Sequence, residues 1–172
     1  MKSIISPKEI LERKIVYTAP QVLEINVEQQ MQQVGIDLRL AKASWISGLA
    51  EFTNNTTTLK PSSFEMQIVD NCYFFKAGMQ YSLDFFEDIS VPEDMAALII
   101  NRSSINRYSG VITSGVYDPG FRSKGGCGAM FRPTLDTKIE IGFRVAQVMF
   151  FAAESASLYA GQYQDSKEKD KA

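Results

Sequence analysis

Asn101 to Arg122 reads NRSSINRYSGVITSGVYDPGFR: a basic, hydroxyl-bearing turn, a short apolar stretch, then a buried-looking aspartate in a tight turn. Phosphate chemistry is the first reading of this stretch. Arg102, Ser103 and Ser104 directly follow the apolar run Met95 to Ile100, which reads as a core strand. If a helical turn begins at the two serines, its first backbone N–H groups are unpaired and point outward, an end that attracts anions. Arg102 adds a forked, charge-assisted contact to phosphate oxygens, and Arg107, about one turn further on, reaches the same ligand. A polar surface turn with a capping serine is the plainer alternative.

Asp118, ahead of Pro119-Gly120, sharpens the choice. Aspartate in such a position forms turns for local reasons. It is equally a carboxylate held at a hairpin, close to bound phosphates and able to take a proton from water. The two pieces together favour a site.

Working outward, 172 residues with 45% hydrophobic content suit one domain with its own core. The expected division is a single domain over 1–164, including a C-terminal arm at 159–164, and a charged, disordered tail at 165–172. A formal net charge of -2 argues against nonspecific nucleic-acid binding, which depends on many phosphate neutralisations. Phosphate binding must therefore be local. No membrane partner is expected. Cys72 and Cys127 stand far apart, without a Cys-x-x-Cys motif or a secretory signal, and read as reduced, packed thiols of a cytoplasmic protein. Their pairing stays open at this point.

Histidine is absent, which removes serine–histidine and cysteine–histidine hydrolysis and the His-x-Glu zinc deaminase site. A protein metal cage is not expected either. Mg²⁺ can still enter on a triphosphate, because it keeps its waters and needs few protein ligands.

Ser6, Pro7 and Glu9 form a capping box for a helix running to about Arg13. Residues 15–33 read as strands, with near alternation from Leu23 onwards. Gly35 to Leu40 alternates as a half-buried strand, with Asp37 opposite to Ile36 and Leu38. Residues 41–63 are turn-rich and read as a surface excursion with one short strand. The aromatics between Phe64 and Phe86 read as core and packing residues, because Tyr81, Leu83 and Phe85 keep strand period and no basic residues interleave them. Ile141 to Phe151 reads as the last strand.

Several of these segments, in order, resemble the superfamily of dUTP diphosphatases and dCTP deaminases. Ser6 to Leu11 resembles the N-terminal helix of the deaminase branch, and Val34 to Leu40 the first shared motif. Val91 to Glu93 and Arg102 to Arg107 resemble the second motif, Ser114 to Arg122 the third, and Arg144 to Val148 the fourth. Tyr159 to Gln164 resembles the deaminase-type C-terminal arm. The resemblance implies a mainly β, distorted β-barrel (jelly-roll-like) fold of the dUTPase-like type with a short N-terminal helix. It also implies a homotrimer acting on a pyrimidine deoxynucleoside triphosphate.

By the same resemblance Asp118 is the general base. Arg102, Ser103, Ser104, Arg107 and Gln147 hold phosphates, Gly115 and Phe121 meet the nucleoside, and Tyr159 and Tyr163 close the arm over it. Asp37 organises either the metal-bound waters or the site's own hydrogen bonds, and Mg²⁺ is bound mainly through the triphosphate. The deaminases carry a proton-moving glutamate on the strand after the Asp-Pro-Gly turn, whereas residues 123–131 here hold no carboxylate. Ser114 to Asp118 resembles the Ala-Gly-Val-Ile-Asp pattern of the diphosphatases. The expected activity is therefore Mg²⁺-dependent hydrolysis of dUTP to dUMP and pyrophosphate. A dCTP deaminase, bifunctional or using a displaced carboxylate such as Glu140, and a non-catalytic nucleotide-binding homologue are the alternatives.

Overall fold

A computed structural model describes residues 3–19, 22, 24–52, 54, 61–155, 157–161 and 164. The N-terminal helix α1 (Pro7–Glu12) starts as its sequence dictates. Ser6 Oγ accepts from Glu9 N at 3.3 Å and Pro7 fills the first helical position, where no amide is needed. Ile10 is fully buried, and Leu11 packs partly buried against the same core.

The strands β1 (Val16–Thr18), β2 (Ile36–Ser47), β3 (Ser62–Glu65), β4 (Cys72–Phe75), β5 (Tyr81–Phe85) and β6 (Glu87–Ile89) follow, with α2 (Val27–Gln30) between the first two. Then come β7 (Met95–Asn101), α3 (Ser103–Tyr108), β8 (Gly110–Thr113), β9 (Gly128–Pro133), β10 (Thr137–Glu140) and β11 (Arg144–Ala152). The main sheet runs β11-β7-β8-β9-β5-β2-β3, and an additional β11–β2 pairing closes six of these strands into an antiparallel barrel. Closure removes the free edges that an open sheet would expose. The barrel is filled by the inward residues of alternating strands, among them Leu38, Phe85, Ile99, Phe131 and Phe150. Short pairs, β1 with β6 and β4 with β10, flank it.

The expected mainly β barrel with its short N-terminal helix is therefore what forms. Three local expectations change. The stretch before Gly35 is not all strand: Asn26 Oδ1 accepts from Gln29 N at 3.1 Å and starts the helical turn α2. Leu23, where the alternation was read to begin, lies outside the described residues. β2 runs on to Ser47, well into the presumed excursion. The last strand begins at Arg144 rather than Ile141, because Gly142, at φ 87°, turns the chain just before it.

Of the aromatics, Tyr73, Phe75, Tyr81 and Phe85 are buried in the core, while Phe64 stacks on Trp45 at the surface with ring centroids 4.6 Å apart. Cys72 and Cys127 are both buried and unbonded. No helix among the described residues is long and apolar enough to cross a membrane.

Candidate active site

The turn that carries Asp118 is set by its own sequence. Phe121 N donates to Asp118 O at 3.0 Å across Pro119 and Gly120, and Gly120 has φ 86°. Proline followed by a residue of positive φ is the type II arrangement, and only glycine takes it without strain. The turn is anchored to the chain before β7: Gly120 N donates to Val91 O at 3.0 Å and Val91 N to Phe121 O at 2.8 Å. Asp118 is exposed rather than buried. Its backbone is fixed while its carboxylate stays open to an incoming group.

Beside the turn lies an open cavity of about 560 Å³, lined by Gly115, Tyr117, Asp118, Phe121 and Tyr159 among others. Tyr117 stacks obliquely on Phe121 at 5.0 Å, and Phe121 meets Tyr159 edge-on at 5.4 Å. The Tyr117 hydroxyl donates to Gly128 O, and burial, the largest cause, pushes its pKa far up. It therefore stays a neutral donor. Nothing lies within 4 Å of the place a Cβ on Gly115 would take, so the main chain there is open to the cavity.

The arm folds onto this turn. Tyr159 N donates to Pro119 O at 2.8 Å. Gln164 brackets the turn, donating through Nε2 to Gly120 O at 3.1 Å and accepting at Oε1 from Arg122 N at 3.1 Å. Tyr163, Gln162 and the tail 165–172 lie outside the described residues.

The glycine-rich segment after Arg122 is organised by a carboxylate from another strand. Asp88 on β6 is 4% exposed. Its Oδ1 accepts from Ser123 Oγ and Gly126 N, both at 2.7 Å, and its Oδ2 from Gly125 N at 3.2 Å. Gly125 and Gly126 have φ 82° and 100°, which lets successive amides converge on one carboxylate. Ser123, Gly126 and Cys127 then wall the cavity. Asp88→Ala removes the acceptor that Ser123 Oγ, Gly125 N and Gly126 N share. The expected loss is about 3 kcal/mol of stability, read as a fall in thermal midpoint of roughly 6–12 °C, together with a raised KM for the nucleotide.

A second cluster gathers at the far end of β7. Asp37 on β2 is 1% exposed. Its Oδ2 pairs with Arg102 Nε at 2.8 Å and Arg144 Nη1 at 3.3 Å, and its Oδ1 accepts from Gln147 Nε2 at 3.4 Å. Burial pushes the Asp37 carboxyl upward, while Arg102 and Arg144 pull it back. Register explains the meeting: Gln147 on β11 stands opposite Asp37 on β2 and opposite Ile100 on β7. Arg102 is the N-cap of α3, as expected, and its Nη1 also donates to Arg144 O at 2.9 Å. The amide nitrogen of the Asn101 side chain is buried with no partner among the described residues. It is a spare donor beside this cluster.

Among the described residues, the cavity of Asp118 is lined by none of Arg102, Ser103, Ser104, Arg107 or Gln147. The candidate residues thus fall into two separate groups within one chain. Ser104 instead lines a separate cavity with Tyr108 and Glu140. Arg107 sits in the last turn of α3, with its guanidinium 5.9 Å from the Tyr108 ring centroid. Glu140, the displaced carboxylate considered for deamination, accepts from Asn71 Nδ2 at 3.3 Å and does not line the Asp118 cavity. A different carboxylate does: Asp84 of β5. The alternation of Tyr81, Leu83 and Phe85 already implied that Ser82 and Asp84 face the other way, and both line this cavity.

Residues 5–153 match the dCTP deaminase-like family, and the chain belongs to it. Curated relatives include a probable deoxyuridine 5'-triphosphate nucleotidohydrolase of Methanopyrus kandleri, 29% identical over 79% of this chain and 88% of that one. A second of the same name, from Methanosarcina acetivorans, is 24% identical over 97% of this chain and 99% of its own length. A 2'-deoxycytidine 5'-triphosphate deaminase from Agrobacterium tumefaciens has the same fold. It aligns with a TM-score of 0.61 at 18% identity over 88% of this chain, which spans 48% of that one.

Proposed function

We propose that the chain hydrolyses dUTP to dUMP and pyrophosphate. The observation that carries this reading is the Asp118 turn, which fixes an exposed carboxylate beside a largely apolar cavity whose main chain is open at Gly115. The relatives matched along most of their length and named as dUTP nucleotidohydrolases support it. Uracil enters the cavity, backbone atoms near Gly115 read its edge, and Phe121 packs on the deoxyribose where a 2′-hydroxyl would crowd it. A water attacks the α-phosphorus and gives its proton to Asp118. The bond from the α-phosphorus to the bridging oxygen breaks, and pyrophosphate leaves.

Carried in on the triphosphate, Mg²⁺ would supply neutralisation of its charge. The described residues hold no cluster of three metal-ligating side chains, and Asp37 is already paired with two arginines. Asp37 is the side chain that would order the waters of a metal held mainly by the phosphates.

Arg102, Ser103, Ser104, Arg107 and Gln147 meet the phosphates, with the Asn101 amide as a further donor. Because they stand apart from the Asp118 cavity of their own chain, the triphosphate half of each site comes from a neighbouring copy in a homotrimer. Exposed apolar side chains support such an assembly: Ile100 on β7, Val111 on β8 and Val116 beyond it. Tyr159 and Tyr163 of the arm close over the nucleoside. A nucleotide substrate of this kind goes with a cytoplasmic location.

Deamination of dCTP is the second reading, and one observation favours it: Asp84 supplies the Asp118 cavity with a carboxylate where residues 123–131 have none. Purified protein with Mg²⁺ and, separately, dUTP, dCTP and dTTP, followed for pyrophosphate and ammonia together, separates the two. Pyrophosphate from dUTP without ammonia from dCTP is the expected result. Ammonia from dCTP gives the second reading its place, and silence with all three assigns the fold to nucleotide binding alone.

A further inference from the structure

Glu140, which the hydrolytic mechanism leaves unused, lines a second open cavity of about 520 Å³ between α3 and β10. Among the described residues, this cavity shares no lining side chain with the one beside Asp118. Its floor is apolar: Ile105 from α3, Ile139 from β10 and Cys72 from β4 line it and are all buried. Two large rings stand at its rim, Tyr108 from the last turn of α3, 68% exposed, and Phe143 from the turn after β10, 48% exposed. Single exposed rings are ordinary on a protein surface, but two on one cavity with an apolar floor mark a place for a ligand's apolar face. Glu140 and Phe143 are the ends of one tight turn, closed by Phe143 N donating to Glu140 O at 3.1 Å, with Gly142 at φ 87°. The same four residues therefore hold the carboxylate and the ring. The other polar groups have partners of their own: Ser109 Oγ and Thr137 Oγ1 lie 2.8 Å apart, and Lys138 Nζ sits 5.3 Å from the Phe74 ring centroid. The Glu140 carboxylate accepts from Asn71 Nδ2 at 3.3 Å through Oε1. A carboxylate has about four acceptor sites, so that contact leaves it able to take a pair of further donors.

We propose that this cavity is a second small-molecule site, taking a flat aromatic ring that carries an amidine-type pair of N–H donors. The ring packs against Tyr108 and Phe143 over the apolar floor, and its paired donors meet the Glu140 carboxylate. A positive charge on such a ring is favoured by the carboxylate and the aromatic faces together, and a negative charge is disfavoured for the same reason. Ser104, one helical turn before Tyr108, is the one described lining residue that also belongs to the proposed phosphate group, so α3 runs between the two sites. The assignment stands on the residues of this cavity and holds whichever base the Asp118 cavity takes.

The test is a ¹H–¹⁵N NMR titration of the full chain with 2-aminobenzimidazole, with benzimidazole, which lacks the exocyclic amino group, and with benzoate. The dissociation constant expected for 2-aminobenzimidazole is on the order of 0.1–1 mM for a ligand of this size. Its shifts are expected to centre on the amides of Ile105, Tyr108, Ile139, Glu140 and Phe143. Benzimidazole is expected to bind about tenfold more weakly, and benzoate not to saturate. Glu140→Gln brings the two azoles to within about twofold of each other. Phe143→Ala weakens both by about 3- to 10-fold and leaves their ratio standing. Both side chains are exposed, so neither substitution touches the core. Saturation with the α,β-imido analogue of dUTP is expected to leave 2-aminobenzimidazole in place. Shifts centred on Gly115 to Phe121, displacement of the probe by that analogue, a preference between the azoles that survives Glu140→Gln, or no saturable binding each overturn the proposal. A chain that binds the probe in this cavity but hydrolyses no dUTP removes the hydrolase reading alone.

Discussion

Asp118→Asn is expected to lower dUTP turnover by about 10²- to 10⁴-fold while leaving nucleotide binding largely intact. The substitution is isosteric, and the turn does not depend on the ionised side chain. Its closing hydrogen bond runs between main-chain atoms, from Phe121 N to Asp118 O, and Pro119 and Gly120 supply the conformation. What disappears is the proton acceptor. Single-turnover hydrolysis and binding of a non-hydrolysable analogue, measured on the same preparation, separate the two effects. Loss of turnover with unchanged affinity places Asp118 at the chemical step. Unchanged turnover removes it as the base, and a parallel fall in affinity and turnover makes it a binding residue instead.

The half-site arrangement predicts how that defect behaves in mixtures. If Asp118 of one chain works with Arg102 and Gln147 of another, as proposed above, Asp118→Asn subunits should complement subunits altered at Arg102. Co-assembled variants are expected to recover part of the activity that each lacks alone. A site built within one chain would show no recovery.

How much of this was legible before folding depends on where each residue's partner lies in the sequence. The Asp118 turn was readable because Asp-Pro-Gly fixes its own geometry within four residues. The same holds for α1, where Ser6, Pro7 and Glu9 cap locally, and for β5, β7 and the first half of β2, whose apolar pattern is a local record of the core. The α2 turn is hard to read from sequence, because the apolar alternation across Leu23, Ile25 and Val27 masks the single capping residue Asn26. Asp84 and Asp88 were illegible for a different reason. Each is one polar residue on a short strand, and only contact with residues 35 to 44 positions away sets its surroundings: Gly128 for Asp84, Ser123 to Gly126 for Asp88. Asp37 was found by resemblance, yet the arginines and glutamine that converge on it come from β7–α3 and β11. Its alternation with Ile36 and Leu38 gave no warning that both of its faces would be covered.

The largest effect on stability is expected at Glu87, which lies at the back of the same strand contact that holds Asp37. Glu87 is fully buried. Its Oε1 pairs with Arg39 Nε at 2.6 Å and accepts from Gln30 Nε2 at 2.8 Å, and its Oε2 accepts from the backbone N of Arg39 at 2.8 Å. Gln30 completes the network by donating to Asp37 O at 2.9 Å and accepting from Asn26 N at 3.0 Å. A buried ion pair of this kind is a weak source of net stability beside an apolar substitute for both partners, but removing one partner strands the other charge. Glu87→Ala removes the carboxylate shared by the mostly buried Arg39 guanidinium, the Arg39 strand amide and the Gln30 side chain. The expected cost is roughly 3–5 kcal/mol, a fall in thermal midpoint of roughly 6–20 °C for a chain of this size. Glu87→Gln keeps an acceptor of the same shape and is expected to cost less. Arg39→Met combined with Glu87→Leu, which removes both charges, is expected to recover most of the loss. If the double variant is as unstable as Glu87→Ala, the carboxylate acts mainly by holding the β2 backbone. Affinity for a triphosphate analogue is then expected to fall with it, if the Asp37 cluster holds the phosphates as proposed, because the same stretch of β2 presents Asp37 to Arg102, Arg144 and Gln147.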